Sequence, residues 1–163
     1  MAAATTTPHV EALTERELRA WRGLLRVHAA LTQALGAEME AAHGLSLSAY
    51  EVLMFLADAP ERRMRMRDLA DSVILSRSGL TRLVDRLEAD ALLCRESCPS
   101  DARGAYAKLT AKGAAKLGEA RATHLAGVRE HFLARLAPED QVALGDAWEH
   151  VLPGAHAAGP GCG

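Results

Sequence analysis

The chain has 163 residues, nearly half of them apolar and a quarter charged, with a net charge of −2, which suits one ordinary soluble domain and is short for two. No apolar run approaches the roughly 20 residues of a membrane span, and the first ten residues carry neither the basic nor the apolar part of a signal peptide. Three cysteines, Cys94, Cys98 and Cys162, are an odd number that fits a reducing compartment better than a disulfide framework, so a cytoplasmic protein with no membrane partner is expected.

The first thirteen residues, rich in Ala and Thr, are expected to fray. Thr14 followed by Glu17 is a capping-box pattern. From there Leu18, Trp21, Leu25, His28, Thr32, Leu35 and Met39 recur at helical spacing up to His43-Gly44, where glycine suits a left-handed turn. Such a helix has about 30 residues and is roughly 45 Å long, more than a small core can cover. A partner subunit is the simplest cover for the excess. Ser48 and Glu51 repeat the capping-box pattern, and Val52, Leu53, Phe55 and Leu56 form the buried side of a second helix ending before Pro60. A loop containing Glu61-Arg62-Arg63 leads to a short third helix from about Arg67 to Val73, and a fourth runs from Arg77 to Ala89. Leu92 to Cys98 and Ala105 to Leu109 read as two strands separated by turn-forming residues 99–104. Thr110 caps a long fifth helix with Leu117, Leu125, Val128, Phe132 and Leu136 on its apolar side. Pro138 starts a sixth that runs to about Leu152, and residues 153–163 read as a disordered tail.

The net charge hides a polarity along the chain. Between Arg62 and Lys112 there are eleven basic and seven acidic residues, or +4, which leaves −6 for the rest. A basic centre on an acidic body is the electrostatic footprint of a phosphate-facing region. Inside it, residues 67–89 have the spacing of a helix-turn-helix. Ala70 is the small residue at the crossing, Leu69, Val73, Leu75, Leu80 and Leu83 are the apolar positions, and Ser76 caps the second helix through the amide of Ser78 or Gly79. That leaves Arg77, Ser78, Thr81, Arg82 and Arg86 on the outside. Arginine pairs bidentately with guanine, and serine and threonine reach bases or phosphates.

Four pieces in order, LSRSGLTRLVDRLE at 75–88, Arg95, Asp101-Ala-Arg103 and LTAKG at 109–113, resemble the pattern of the MarR (multiple antibiotic resistance regulator) family, and the likeness extends from about Trp21 to Leu152. The resemblance implies a mainly α fold with a small β-hairpin wing: a winged helix-turn-helix of six helices, in a homodimer built from the N- and C-terminal helices. It implies that the helix from Arg77 enters the major groove of double-stranded DNA, and that Arg103, held by Asp101, reaches the minor groove from the wing. A single arginine flanked by Ala102 and Gly104 fits a narrow, electronegative groove. A surface ion pair is the plainer reading of Asp101 and Arg103. Two departures stand out. Ala91 occupies the place of a usual glycine after the recognition helix, which assigns the turn to Asp90. Arg67 stands where a Ser or Thr cap is usual for the third helix, adding a possible phosphate contact.

Other signals are weaker. Some relatives sense zinc, but His124 and His131 are seven apart, whereas two ligands on one helix face are usually three or four apart, and no acidic or thiolate partner is well placed. No metal and no cofactor are expected. Some relatives sense peroxides through a cysteine near the start of the first helices; none precedes Cys94 here. Cys94 and Cys98 lie about 13 Å apart along one strand, too far to bond to each other, and Cys98 beside the wing is the candidate redox residue. Trp21 and His28 share a face of the first helix where relatives form a crevice for anionic aromatics, and so are the candidate ligand residues; packing of Trp21 in the dimer core is the alternative. No nucleophile elbow, phosphate loop or zinc-protease helix points to an enzyme.

The reading is therefore a non-enzymatic, homodimeric transcriptional regulator. It is expected to bind a pseudo-palindromic site and to be a repressor released by a small anionic or aromatic molecule. The expected layout is a domain over residues 14–152, with a winged core at 45–112 and dimerisation helices at 14–44 and 110–152. The expected DNA contacts are Arg67, Ser76, Arg77, Ser78, Thr81, Arg82, Arg86, Asp101 and Arg103. The alternatives are a redox- or metal-responsive regulator of the same fold and a winged-helix module for protein contacts.

Overall fold

In a computed structural model, residues 12–73, 76–98 and 101–153 are described, with the backbone alone for residues 77, 98 and 101–104. Thr14 accepts from the Glu17 amide while the Glu17 carboxylate accepts from the Thr14 amide, so the expected capping box opens α1, Glu15–His43. The helix stops at Gly44, which takes φ 62°, a conformation costly for any residue with a Cβ. Along α1 the apolar stripe divides. Leu35 and Met39 are buried, whereas Trp21 is 53 % exposed and Leu25 48 %.

Helix α2 spans Leu47–Asp58. Its cap is Ser46, which accepts from the Ala49 amide, and not the Ser48/Glu51 pair that the sequence suggested. Ser46 is the residue with extended dihedrals just ahead of the helix, and that conformation turns its hydroxyl back toward the first turn. Tyr50, Val52, Leu53 and Leu56 are buried. Phe55 is only half-buried.

The segment read as a loop before the third helix contains a strand. After a single turn at Pro60–Arg62, β1 (Arg63–Arg65) pairs antiparallel with the wing. Helix α3 follows at Met66–Ser72 and α4 at Arg77–Ala89. The residue capping α3 is therefore Arg65 and not Arg67, and its side chain makes no capping bond. Strands β2 (Leu93–Cys98) and β3 (Asp101–Leu109) complete a sheet of order β1-β3-β2. Residues 101–104, expected in the turn, belong to β3, so the wing is longer than the sequence suggested.

Thr110 accepts from the Gly113 amide and caps α5, Ala111–His131. The helix breaks at Phe132 and gives way to a short turn, Leu133–Arg135, so Phe132 and Leu136 lie beyond α5 rather than on its apolar side. Pro138 opens α6, Pro138–Val151, as expected, and no residue of α6 is buried.

The core lies between α2, α3, α4, the sheet and the first half of α5, with Leu53, Leu56, Leu69, Leu80 and Leu93 almost fully buried. Truncating a buried leucine of this kind to alanine typically costs about 2–5 kcal/mol. This core holds α4 and the wing, and the C-terminal half of α1 and the first half of α5 pack against it.

Candidate nucleic-acid interface

Helix α4 is amphipathic in a way that fixes which face looks out. Leu80, Leu83, Val84 and Leu87 are buried, while Ser78, Thr81, Arg82, Asp85 and Arg86 are exposed. Ser76 accepts from the Gly79 amide at 3.1 Å, and its hydroxyl lies 3.3 Å from that of Ser78. Two of the nine expected contacts, Ser76 and Ser78, thus form the exposed cap of the helix. Ala70 of α3 lines a shallow cleft with Met66, Arg67, Leu80 and Thr81. The small residue sits at the crossing of the two helices, and Arg67 comes beside the outward face of α4. The side chain of Arg77 lies outside the described residues, as does Leu75.

The carboxylates of α4 are not left facing outward alone. Arg95 of β2 donates to Asp85 at 2.6 Å and to Glu88 at 2.5 Å, and its amide donates to Glu88 at 2.8 Å. Its pKa is held above the ordinary value, first by the hydrogen bond to Asp85. One guanidinium thus neutralises acidic groups on the helix and latches the wing to it. The family pattern contained Arg95, but nothing in the sequence disclosed its role.

The turn from α4 to β2 was assigned to Asp90. Asp90 has ordinary dihedrals, φ −80° and ψ 0°, and the left-handed residue is Ala91 itself, at φ 57°. Around it, Lys112 Nζ donates to the Asp90 carbonyl at 2.8 Å, and Thr110 Oγ1 donates to the carbonyls of Ala91 at 2.8 Å and Leu92 at 3.0 Å. A Cβ on Gly113 would collide with the Leu92 carbonyl oxygen. The LTAKG stretch therefore clamps the end of α4 to the start of the wing, and the pressure of Leu92 explains its glycine.

At the wing, Ser97 pairs with Ala105 but the next residue, Cys98, pairs with Asp101. Residues 102–104 form a bulge against that single step. The backbone of Arg103 lies within that bulge. The side chains of Asp101, Arg103 and Cys98 lie outside the described residues. Behind the bulge, Lys108 donates to Glu96 at 2.8 Å, which lowers the Glu96 pKa and raises that of Lys108.

The remaining candidates lie apart from this surface. Trp21 and His28 stand exposed on the first half of α1. Three histidines make contacts within the chain: His43 bonds Thr123 at 2.8 Å, His131 meets Glu38 at 2.5 Å, and His124 packs on Tyr50 with ring centroids 4.6 Å apart. They tie α1 and α2 to α5. Among the described residues, no group of three or more His, Cys, Asp or Glu is arranged to hold a metal ion, and no helix is long and apolar enough to cross a membrane.

The sequence model of the MarR family matches residues 43–104, the stretch from the end of α1 to the wing. The HTH-type transcriptional regulator MhqR of Bacillus subtilis (strain 168) is 27 % identical over 118 residues, 72 % of this chain and 79 % of that protein. Two solved Streptomyces coelicolor proteins, both MarR family transcriptional regulators, are similar over most of their length. Sco3205, solved in complex with DNA, is 35 % identical with a TM-score of 0.82, over 89 % of this chain and 91 % of that one. AbsC is 36 % identical with a TM-score of 0.80, over 91 % and 99 %. Shared over nearly the whole of both chains, an identity and a fold of this order make this protein a member of the MarR family.

Proposed function

We propose that the chain is a sequence-specific regulator of transcription that binds double-stranded DNA as a homodimer, and that it is a repressor released by a small molecule. One observation carries the DNA reading: the outward face of α4 presents Ser78, Thr81, Arg82 and Arg86, while Arg95 engages the helix's Asp85 and Glu88. Such a face suits the floor of a major groove and the phosphates beside it. In this reading α4 enters the major groove, Arg67 and Ser76 contact backbone, and Arg103, oriented by Asp101, enters the minor groove. The similarity to Sco3205, solved with DNA, supports it.

The dimer reading rests on exposed apolar side chains at both ends of the chain: Leu13, Trp21, Leu24 and Leu25 near the start, and Val142, Trp148, Val151 and Leu152 on and after α6. Left in water, exposed apolar side chains of this size are an aggregation liability; against a second copy they become an interface, with residues 14–152 acting as one unit. Trp21 and His28 then border the junction of the two chains, where an anionic or aromatic ligand would bind. A ligand that prefers a spacing of the α4 helices unsuited to DNA shifts the population away from binding. A tenfold loss of affinity needs about 1.4 kcal/mol of differential binding. The regulator reading leaves no reaction to assign, and a cytoplasmic location follows from its DNA target.

The test is fluorescence anisotropy with duplex DNA taken from upstream of the protein's own gene, against a shuffled duplex of equal composition. The expected result is a preference of at least ~10³-fold at physiological salt. Equal affinities for the two duplexes contradict the proposal.

A further inference from the structure

We propose that Arg65, fixed on the ring of Tyr106, grips the DNA phosphate backbone where it passes between α4 and the wing. The inference rests on the DNA-binding reading above and adds a contact that the sequence did not disclose, because β1 was read as a loop.

Strand β1 carries Arg63 and Arg65 on one face of the sheet, on either side of Met64, which packs against the core. Arg65 is paired across the ladder with Tyr106 of β3. Its Nε donates to the Tyr106 hydroxyl at 3.1 Å, and its Cζ lies 5.6 Å from the ring centroid. Arg63 lies over the same ring at 5.2 Å. Arg63 is paired with Glu61 at 2.6 Å and with Glu96 at 3.5 Å, which suits a structural tie. Arg65 is exposed, at the end of β1 nearer the wing tip, directly ahead of α3.

Its position is what points to a phosphate. Tyr106 is three residues along β3 from Arg103. Two residues beyond Arg65, Arg67 lines the cleft shared with Thr81 of α4. Arg65 therefore stands between the helix assigned to the major groove and the wing assigned to the adjacent minor groove. The strand of phosphates that separates two neighbouring grooves must cross this gap. Half to two-thirds of protein–DNA hydrogen bonds go to phosphate and sugar, and they set the register in which base-reading groups act. A guanidinium anchored through Nε and laid on an aromatic ring has its plane fixed, and the terminal amino groups of that plane are the fork that matches a phosphate. Ordering it beforehand removes part of the entropy cost of binding.

The experiment measures anisotropy titrations of the full chain over a salt series, on the upstream and shuffled duplexes, for wild type, Arg65→Ala, Tyr106→Leu and Arg129→Ala. Arg129 is an exposed cation in the last turn of α5, so its loss controls for net charge. Each phosphate contact contributes about 0.9 to the slope of log K against log salt. Arg65→Ala is expected to reduce that slope by about one on both duplexes alike, Tyr106→Leu to reduce it by less, and Arg129→Ala to leave it unchanged. An Arg65→Ala slope equal to that of wild type overturns the proposal, even if the variant melts at a lower temperature, because a structural role alone does not change the number of phosphates neutralised. A wild type without salt-dependent binding to either duplex overturns the DNA-binding reading itself.

Discussion

Three side chains in and around α4 carry separable burdens. In the proposed function Arg82, exposed on the middle of the helix, would read a base, and Arg103, whose backbone lies in the wing bulge, would enter the minor groove. Arg82→Ala is expected to lose roughly 1–3 kcal/mol on the upstream duplex and little on a shuffled one. Arg103→Ala is expected to weaken both and to flatten the salt dependence, with thermal stability unchanged. Competition titrations check this, and equal, sequence-independent losses for both variants would assign Arg82 to the backbone. Ala91 bears a different load. It holds φ 57°, which costs an L-residue roughly 1–2 kcal/mol, against about 0.5–1 kcal/mol for the extra backbone entropy of glycine. Ala91→Gly should therefore stabilise the fold by roughly 0.5–1 kcal/mol, read as a higher thermal midpoint. An unchanged or lower midpoint would show that the clamp of Thr110 and Lys112 already absorbs the strain.

At the scale of elements, the parts with a strong local signal were legible in the sequence. The Thr14/Glu17 box, Gly44, the α4 limits with the Ser76 cap, Thr110 and Pro138 all stand where expected, because each is settled by one residue's interaction with the adjacent helix turn. What was hidden depends on distant partners. Strand β1 has only three residues and exists because β3 offers it a ladder. Strand β3 begins at Asp101 rather than Ala105 because Cys98 pairs there across a bulge. Ser46 takes the cap from Ser48 through backbone conformation alone, and the two serines look alike in sequence. The latch of Arg95 on Asp85 and Glu88 belongs to the same class, since it joins residues brought near by the α4–β2 turn. Arg95→Ala is expected to weaken DNA binding about tenfold and lower stability by roughly 1 kcal/mol, a modest figure because the pair is partly exposed. Adding Asp85→Asn should restore part of the DNA affinity but not the stability. No recovery in the double variant would mean that the latch acts by geometry rather than charge.

The whole molecule joins a DNA-facing lobe to a set of long helices, and the joint between them contains His124. This residue of α5 packs on Tyr50 of α2, and its Nδ1 is buried with no hydrogen-bond partner among the described residues. Burial lowers its pKa from the ordinary 6.5, so the folded state favours the neutral ring. As pH falls below about 6.5, the unfolded chain takes up the proton first, and stability declines until the folded-state pKa is passed. Thermal melts between pH 7.5 and 5.5 are expected to show this decline, and His124→Phe is expected to reduce it; an equal pH dependence in the variant would place the titrating group elsewhere. Above the single chain stands the proposed dimer, for which the exposed apolar residues of α1 and α6 are the argument. Two recognition helices related by a two-fold axis demand half-sites about one helical turn apart. The most direct test is analytical ultracentrifugation of the protein with a duplex bearing its upstream site, at micromolar concentration. The account predicts a dimer in the free protein and two chains per duplex, with binding lost when about five base pairs, half a helical turn, are inserted between the half-sites. A stable free monomer that binds DNA one chain at a time, indifferent to that insertion, would contradict it.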